Sequence, residues 1–195
     1  MHHLFKLLSG GDLCRAPLAR DRGPPRRVLD IGTGTADWAI EMAEDFPNAD
    51  IIGTDLSPIQ PTWAPPNCRF YIDDAESDWT FAPGEAFDYI HARSMGGGIG
   101  DWPRLLRQAF HHLKPGGWFE AQEFEAYVFS DDGTHQRAAA IMDWQDRLNQ
   151  ASKQFGKPMN VAPHIAGWMA AEGFVNVADD IYKVCLEQSW LQESD

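Results

Sequence analysis

The chain has 195 residues, a formal net charge of −13 and 44% hydrophobic residues. That length suits one domain able to bury about 70% of its unfolded surface, and the acidic balance excludes direct partnership with nucleic acid. Its three cysteines, Cys14, Cys68 and Cys185, lack C-x-x-C spacing, which excludes a disulfide framework and leaves no metal site to expect.

In chain order, His2–Leu8 reads as the end of a helix, too short and too interrupted by Lys6 to be a signal peptide. Arg15, Arg20, Arg22, Arg26 and Arg27 surround Pro24 and Pro25. They form a solvated lead-in to the first strand, with a phosphate- or partner-binding arm as the sharper alternative. Val28–Ile31 is a short apolar strand that runs into Gly32-Thr33-Gly34-Thr35-Ala36 and then a helix from about Thr35 to Phe46. Trp38, Met42 and Phe46 lie on one stripe of that helix, and Pro47 follows its end.

The glycine turn is the feature that speaks to function. Only glycine lets the backbone turn that sharply and leaves room for a ligand against it. A dinucleotide site wants G-x-G-x-x-G, with a pyrophosphate at the helix N-terminus. Here the third glycine position is Asp37, and Asp30 precedes the turn. Two carboxylates repel a diphosphate, whereas S-adenosylmethionine has no phosphate and carries a sulfonium and an ammonium. The turn therefore favours a cationic cofactor.

A second strand, Ile51–Thr54, ends in Asp55, 21 positions after Gly34, where an acid can accept both ribose hydroxyls. Pro58, Pro61, Pro65 and Pro66 forbid a regular helix after it, and Trp63 is expected to pack against the sheet, or else to cover the adenine. Cys68–Ile72 is the third strand and leads to Asp73-Asp74-Ala75, where a carboxylate can accept an adenine amino group. Phe87–Ala92 is the fourth. His91 near its end and Arg93 just past it are candidates, the first as a general base and the second as a fork for a substrate carboxylate. A glycine-rich loop, Met95–Gly100, follows at the carboxyl edge. Asp101-Trp102-Pro103 opens a helix with an apolar stripe of Leu105, Leu106, Ala109, Phe110 and Leu113. Pro115-Gly116-Gly117 ends it, and Trp118–Gln122 is strand five. Glu120, Gln122, Glu123 and Glu125 read as a solvated strand end, with a substrate lining as the alternative.

Thr134 to Phe155 predicts a long helix whose stripe of Ile141, Trp144, Leu148, Ala151 and Phe155 packs over the sheet edge as a cover. A helix over Pro163–Glu172 and a last strand over Phe174–Val184 complete the pattern. Strands alternating with helices imply an α/β fold with a doubly wound, mostly parallel sheet.

With these residues in view, the chain resembles a class I S-adenosylmethionine-dependent methyltransferase. More narrowly it resembles the fungal LaeA-like group and its trans-aconitate-methyltransferase-type relatives. The stretches that carry the likeness are VLDIGTGTADW, TDLSPIQP, PPNCRF with DDAE, FDYIHARSM, LKPGGWFEAQEFE and FGKPMNVAP. The resemblance implies that Asp30, Gly32, Thr33 and Gly34 hold the methionine part of the cofactor. It places Asp55 and Leu56 at the ribose, Asp74 and Ala75 at the adenine end, and His91 near the sulfonium. S-adenosylhomocysteine would be the product, and the acceptor a small metabolite or a protein in secondary metabolism or its regulation. Two departures stand out. Ala36 replaces a usual third glycine, and after Val184 the family's further helix and final antiparallel strand find no counterpart, as in a C-terminally truncated member.

One methyltransferase domain is therefore expected over residues 1–195: a helix tail and basic lead-in at 1–25, a cofactor-binding core at 26–123, a helical cover at 124–160, and a C-terminal helix and strand at 161–195. An incomplete sheet edge predicts reduced stability, or a homodimer or regulatory protein partner that covers it. No membrane span is found, and a cytoplasmic or nuclear location is expected. The alternative function is a cofactor-binding but catalytically inactive interaction protein.

Overall fold

The computed structural model describes residues 1–18 and 23–184. Five strands are described, β1 (Arg27–Ile31), β2 (Asp50–Asp55), β3 (Cys68–Ile72), β4 (Phe87–Arg93) and β5 (Leu113–Gln122). They form one sheet in the order β3-β2-β1-β4-β5, and every pairing is parallel. Because side chains alternate across a strand, each inner strand feeds two cores. Val28, Ile51 and Tyr89 point to the face covered by α2 (Asp37–Asp45), where Trp38, Ala39 and Met42 are buried. Leu29, Ile52, Ile90 and Ala92 point to the opposite face. There they meet Leu105, Leu106 and Ala109 of α3 (Trp102–His112) and Ile165 of α5 (Ala162–Ala171). The doubly wound expectation holds.

Local chemistry sets the element ends. Asp101 caps α3 by accepting the Arg104 N–H at 2.9 Å, and Pro103 sits in the first turn, where its missing N–H costs nothing. At the opposite end of β4, Asp88 accepts the backbone N–H of Arg26 and Arg27 at 2.9 Å and pairs with Lys114 at 2.8 Å. Burial pushes its carboxyl up, but Lys114 and the two amides outweigh this and hold it below the usual range. The helix α1 (His2–Leu8) docks on α2 through Lys6 and Glu41 at 2.6 Å.

Four expectations are corrected. Trp63 is 68% exposed and packs into neither core. The long helix splits into a 3-10 turn, Thr134–Arg137, and α4 (Ala139–Gln154). On α4 the apolar stripe is not the packed face: Ile141 and Trp144, with Phe155 at the C-cap, are exposed, while Gln145 and Asn149 are buried. Gln145 Oε1 accepts the Val128 N–H at 2.9 Å, so α4 leans on the segment after β5 rather than over the sheet edge. Finally, Phe174–Val184 forms no strand. Among the described residues no antiparallel strand joins β5, which ends the sheet on that side. Arg20, Arg22 and the chain from Cys185 onward lie outside the described residues.

Candidate functional site

Parallel pairing gathers the carboxyl ends of β1, β2, β3 and β4 on one edge, and the chain reverses its lateral direction between β1 and β4. Open α/β sheets bind ligands at that switch point. The turn after β1 occupies it. Gly32 and Gly34 have φ of +66° and +55°, as their lack of a side chain allows. Ala36, with φ +67°, takes the same left-handed conformation despite its methyl group and is fully buried.

Neighbouring strands lock the turn in place. Thr33 donates its backbone N–H to Thr54 O at 2.9 Å and its hydroxyl to Asp30 Oδ2 at 2.6 Å. Asp55 accepts the Gly34 N–H at 2.8 Å through Oδ2 and the Ser57 N–H at 2.9 Å through Oδ1. Gln60 donates to Gly34 O at 2.9 Å. Thus the end of β2 and the proline-rich loop after it brace the β1 turn from the side. Asp74 lies further along the edge, exposed, with Oδ1 accepting the Glu76 N–H at 2.9 Å, and Ala75 packs against the α3-side core. Leu56 beside Asp55 is 68% exposed.

His91 is not where a general base would stand. Its register neighbour on β1 is Asp30, its side chain is fully buried, and its ring stacks on Trp38 with centroids 3.8 Å apart and planes 7° apart. Nδ1 hydrogen-bonds Asp30 Oδ1 at 2.7 Å, and Nε2 is buried with no hydrogen-bond partner among the described residues. A base must touch the proton it removes; this imidazole touches Asp30 and Trp38. The geometry makes it a brace behind Asp30, which in turn holds Thr33. The strand alternation that sends Ile90 to one core sends His91 to the other, under α2.

Arg93, two residues on, shares that face at the very edge. Both terminal nitrogens lie 3.3 Å from His2 Nδ1, and the guanidinium sits 5.3 Å from the centre of the Phe5 ring. Among the described residues it forms no salt bridge. Burial lowers its pKa below the ordinary value, and burial together with Arg93 lowers that of His2. His2 therefore serves Arg93 as a neutral acceptor.

Sequence reasoning passed over three participants. Gln60 belongs to the TDLSPIQP stretch, yet its reach back to Gly34 depends on the path of the proline loop. Glu123 was read as a solvated strand end; it is partly buried, and its two oxygens accept the Met95 and Gly96 amides at 2.6 and 3.1 Å. Met95 lies over Gly32 so closely that a Cβ on the glycine would collide with its thioether. Three glycines after Met95 hid it in what reads as flexible loop.

A family model described as a methyltransferase domain matches residues 2–179. The chain belongs to this methyltransferase domain family. Curated relatives include the methyltransferase pytC of Aspergillus terreus, 42% identical over 94% of this chain and 56% of its own length. The secondary metabolism regulator LAE1 of Cochliobolus heterostrophus is 34% identical over 94% of this chain and 60% of its own length. The probable methyltransferase tdiE of Emericella nidulans is 37% identical over 90% and 53%. The chain thus spans between 53% and 60% of these relatives.

Solved methyltransferases share the fold. A putative methyltransferase complexed with the Haloferax volcanii Trm112 activator aligns over 100% of this chain and 81% of its own, with TM-score 0.61 and 17% identity. A Haemonchus contortus phosphoethanolamine N-methyltransferase 2, complexed with phosphomonomethylethanolamine and S-adenosylhomocysteine, aligns over 77% of this chain and 33% of its own. Its TM-score is 0.56 at 21% identity. The methyltransferase-family fold here is Rossmann-like, with the described sheet lacking an antiparallel member.

Proposed function

We propose that this domain binds S-adenosylmethionine at the carboxyl edge of β1–β4 and belongs to a methyltransferase of fungal-type secondary metabolism or its regulation. The observation that carries the reading is the glycine turn with acids on both flanks. Gly32 has no Cβ and a positive φ, Asp55 braces the turn from β2, and Asp74 stands exposed beyond it. Once the Met95 side chain moves off Gly32, this cradle admits close approach at its centre and offers carboxylates, not cations, to hydroxyls and amino groups. It suits a phosphate-free, positively charged nucleoside and opposes a diphosphate.

In this reading Gly32, Thr33 and Gly34 line the methionine part, with Asp30 behind them. Asp55 accepts ribose hydroxyls after releasing the Ser57 N–H, Leu56 supplies an apolar wall, and Asp74 with Ala75 frames the adenine. His91 positions Asp30. Arg93, cationic and in no salt bridge among the described residues, is the anchor for a carboxylate on the acceptor, be it a small metabolite or a protein. Methyl transfer breaks the S–CH3 bond as the acceptor–CH3 bond forms, leaving the electron pair on sulfur. Alignment by such a cradle supplies roughly 7–11 kcal/mol of the barrier. A base is required only for a protonated acceptor.

Calorimetric titration with S-adenosylhomocysteine tests the cofactor. We expect saturable binding to the wild-type chain, a loss of at least about tenfold in Asp55→Ala, equal to 1.4 kcal/mol, and no binding of NAD. Binding of NAD, or an unchanged titration in Asp55→Ala, overturns the assignment.

A second reading rests on a separate observation. The exposed Ile141 and Trp144 on α4, Phe155 at its C-cap, and the side of β5 that pairs with no strand among the described residues offer surface for a homodimer or a regulatory protein, in a chain that binds cofactor without turnover. Sedimentation velocity separates dimer from monomer. Methyl transfer to a metabolite panel separates enzyme from binder.

A further inference from the structure

The loop after β4 is fastened at both ends by carboxylates, and its second side chain, Met95, lies against Gly32 of the glycine turn. At the near end, Glu123 from the end of β5 accepts the amides of Met95 and Gly96 at 2.6 and 3.1 Å. At the far end, Glu76, two residues past Asp74, accepts the amides of Gly100 and Asp101 at 2.8 and 3.1 Å. Between them Gly97 donates to Pro158 O at 2.9 Å. A Cβ on Gly96 would lie 2.6 Å from Met159 O, so only glycine lets the loop seat against that segment. Ile99 is buried in the α3-side core beside Val161. Ser94 enters the loop with φ +55°, a strained conformation for a side-chain-bearing residue. The result is a short, glycine-jointed strap that holds the Met95 thioether over Gly32.

We propose that Ser94–Asp101 is a latch on the glycine turn, with Met95 as the plug and Glu123 as the residue that keeps it shut. The proposal rests on the cofactor reading for the identity of the ligand, but not for the latch itself. A ligand that lies on Gly32 needs the space Met95 fills, so it binds only the fraction of molecules in which the strap has lifted. Its apparent affinity is reduced by that fraction. Three features make lifting feasible. Among the described residues the thioether makes no hydrogen bond, successive glycines carry no side chains to repack, and the Glu123 fork is a pair of hydrogen bonds to backbone. Glu76 gives the strap a second function. Because it follows Asp74-Ala75 directly, movement at the adenine end is passed to the far anchor of the latch.

Two measurements decide it. Amide hydrogen exchange on the ligand-free chain reads the latch directly. Met95 and Gly96 should be protected in the wild type and exchange about tenfold or more faster in Glu123→Gln, whose amide nitrogen cannot accept. Equal protection in the two proteins overturns the role of Glu123. Stopped-flow binding of S-adenosylhomocysteine reads the plug. Met95→Ala should associate about tenfold faster or more, while Met95→Leu, which refills the space, should restore the wild-type rate. An unchanged or slower rate in Met95→Ala makes Met95 a wall of the site and overturns the plug. If neither wild type nor Met95→Ala binds the ligand, the cofactor reading fails and the plug with it, and hydrogen exchange then decides the strap alone.

Discussion

The α2 face of the sheet and the outer face of α4 present the same kind of sequence stripe and opposite fates. On α2, Trp38 is buried, stacks on His91 at 3.8 Å and donates its indole N–H to Leu13 O at 2.9 Å. On α4, Trp144 is 61% exposed, and its helix instead buries Gln145 and Asn149. Helical spacing tells which residues share a face. It does not tell whether anything lies opposite that face. For α2 the partner is certain, since a helix between two parallel strands must fold back onto the sheet they share. No such constraint acts on α4, which follows the last strand of the described sheet.

The largest expected effect tests that contrast directly. Trp38→Ala should destabilise the domain by about 3–5 kcal/mol, the cost of a buried aromatic plus the cavity it leaves. Trp144→Ala should change stability by no more than about 0.5 kcal/mol, as for a surface position. Urea unfolding of both variants gives the two numbers. A loss of several kcal/mol in Trp144→Ala would mean that the α4 stripe is covered in solution, by a second copy or by a partner.

Much of the fold was legible for the same reason that Trp38 was. The alternation in Val28–Ile31, Ile51–Asp55 and Phe87–Ala92 encodes strands filled from both sides, and Asp101 with Pro103 encodes a helix start; each signal is local. The glycine turn was legible at the end of β1, because Gly32 and Gly34 there supply the positive φ that the turn needs. What escaped depended on partners far along the chain. His91 was correctly placed on its strand, but its face, and hence its burial, follows from where α2 docks. Phe174–Val184 has a strand-like composition, with Val175 and Ile181 now strongly exposed. A strand exists only with a neighbour to complete its hydrogen bonds, and none pairs with it among the described residues. Met95 and Glu123 meet across 28 positions through a backbone–carboxylate contact that no periodicity announces.

Glu123 offers the next largest effect and carries the comparison from apolar to charged burial. Burial raises its carboxyl from 4.5 to about 7, against the two amides that favour the anion. A carboxyl raised on folding contributes stability that is full below its unfolded pKa and is lost as pH climbs through the folded value. The contribution should therefore be present below about pH 4.5 and gone above about pH 7, with a ceiling of about 3 kcal/mol. Other acids titrate in the same range, so the measurement is the difference between wild type and Glu123→Gln across pH 4.5–8. That difference should drift against the wild type as pH rises. A flat difference would place Glu123 in solvent, like the outer face of α4.

The smallest effect concerns Ala36, where the turn and the helix meet. Its φ of +67° places a methyl-bearing residue in the left-handed region, and complete burial prevents relaxation. That conformation costs roughly 1–2 kcal/mol for a residue with a Cβ. Glycine removes the cost but adds about 0.4–1 kcal/mol of unfolded-state freedom. Ala36→Gly should then stabilise the domain by about 0.5–1 kcal/mol, an unusual sign for glycine at the start of a helix. Thermal unfolding resolves a shift of that size. Since the Ala36 N–H also closes the turn onto Thr33 O at 2.8 Å, relief of strain there should leave the turn itself intact. A destabilised Ala36→Gly would show that the methyl group's packing under α2 outweighs its backbone strain, and that even this first turn belongs energetically to the Trp38 core.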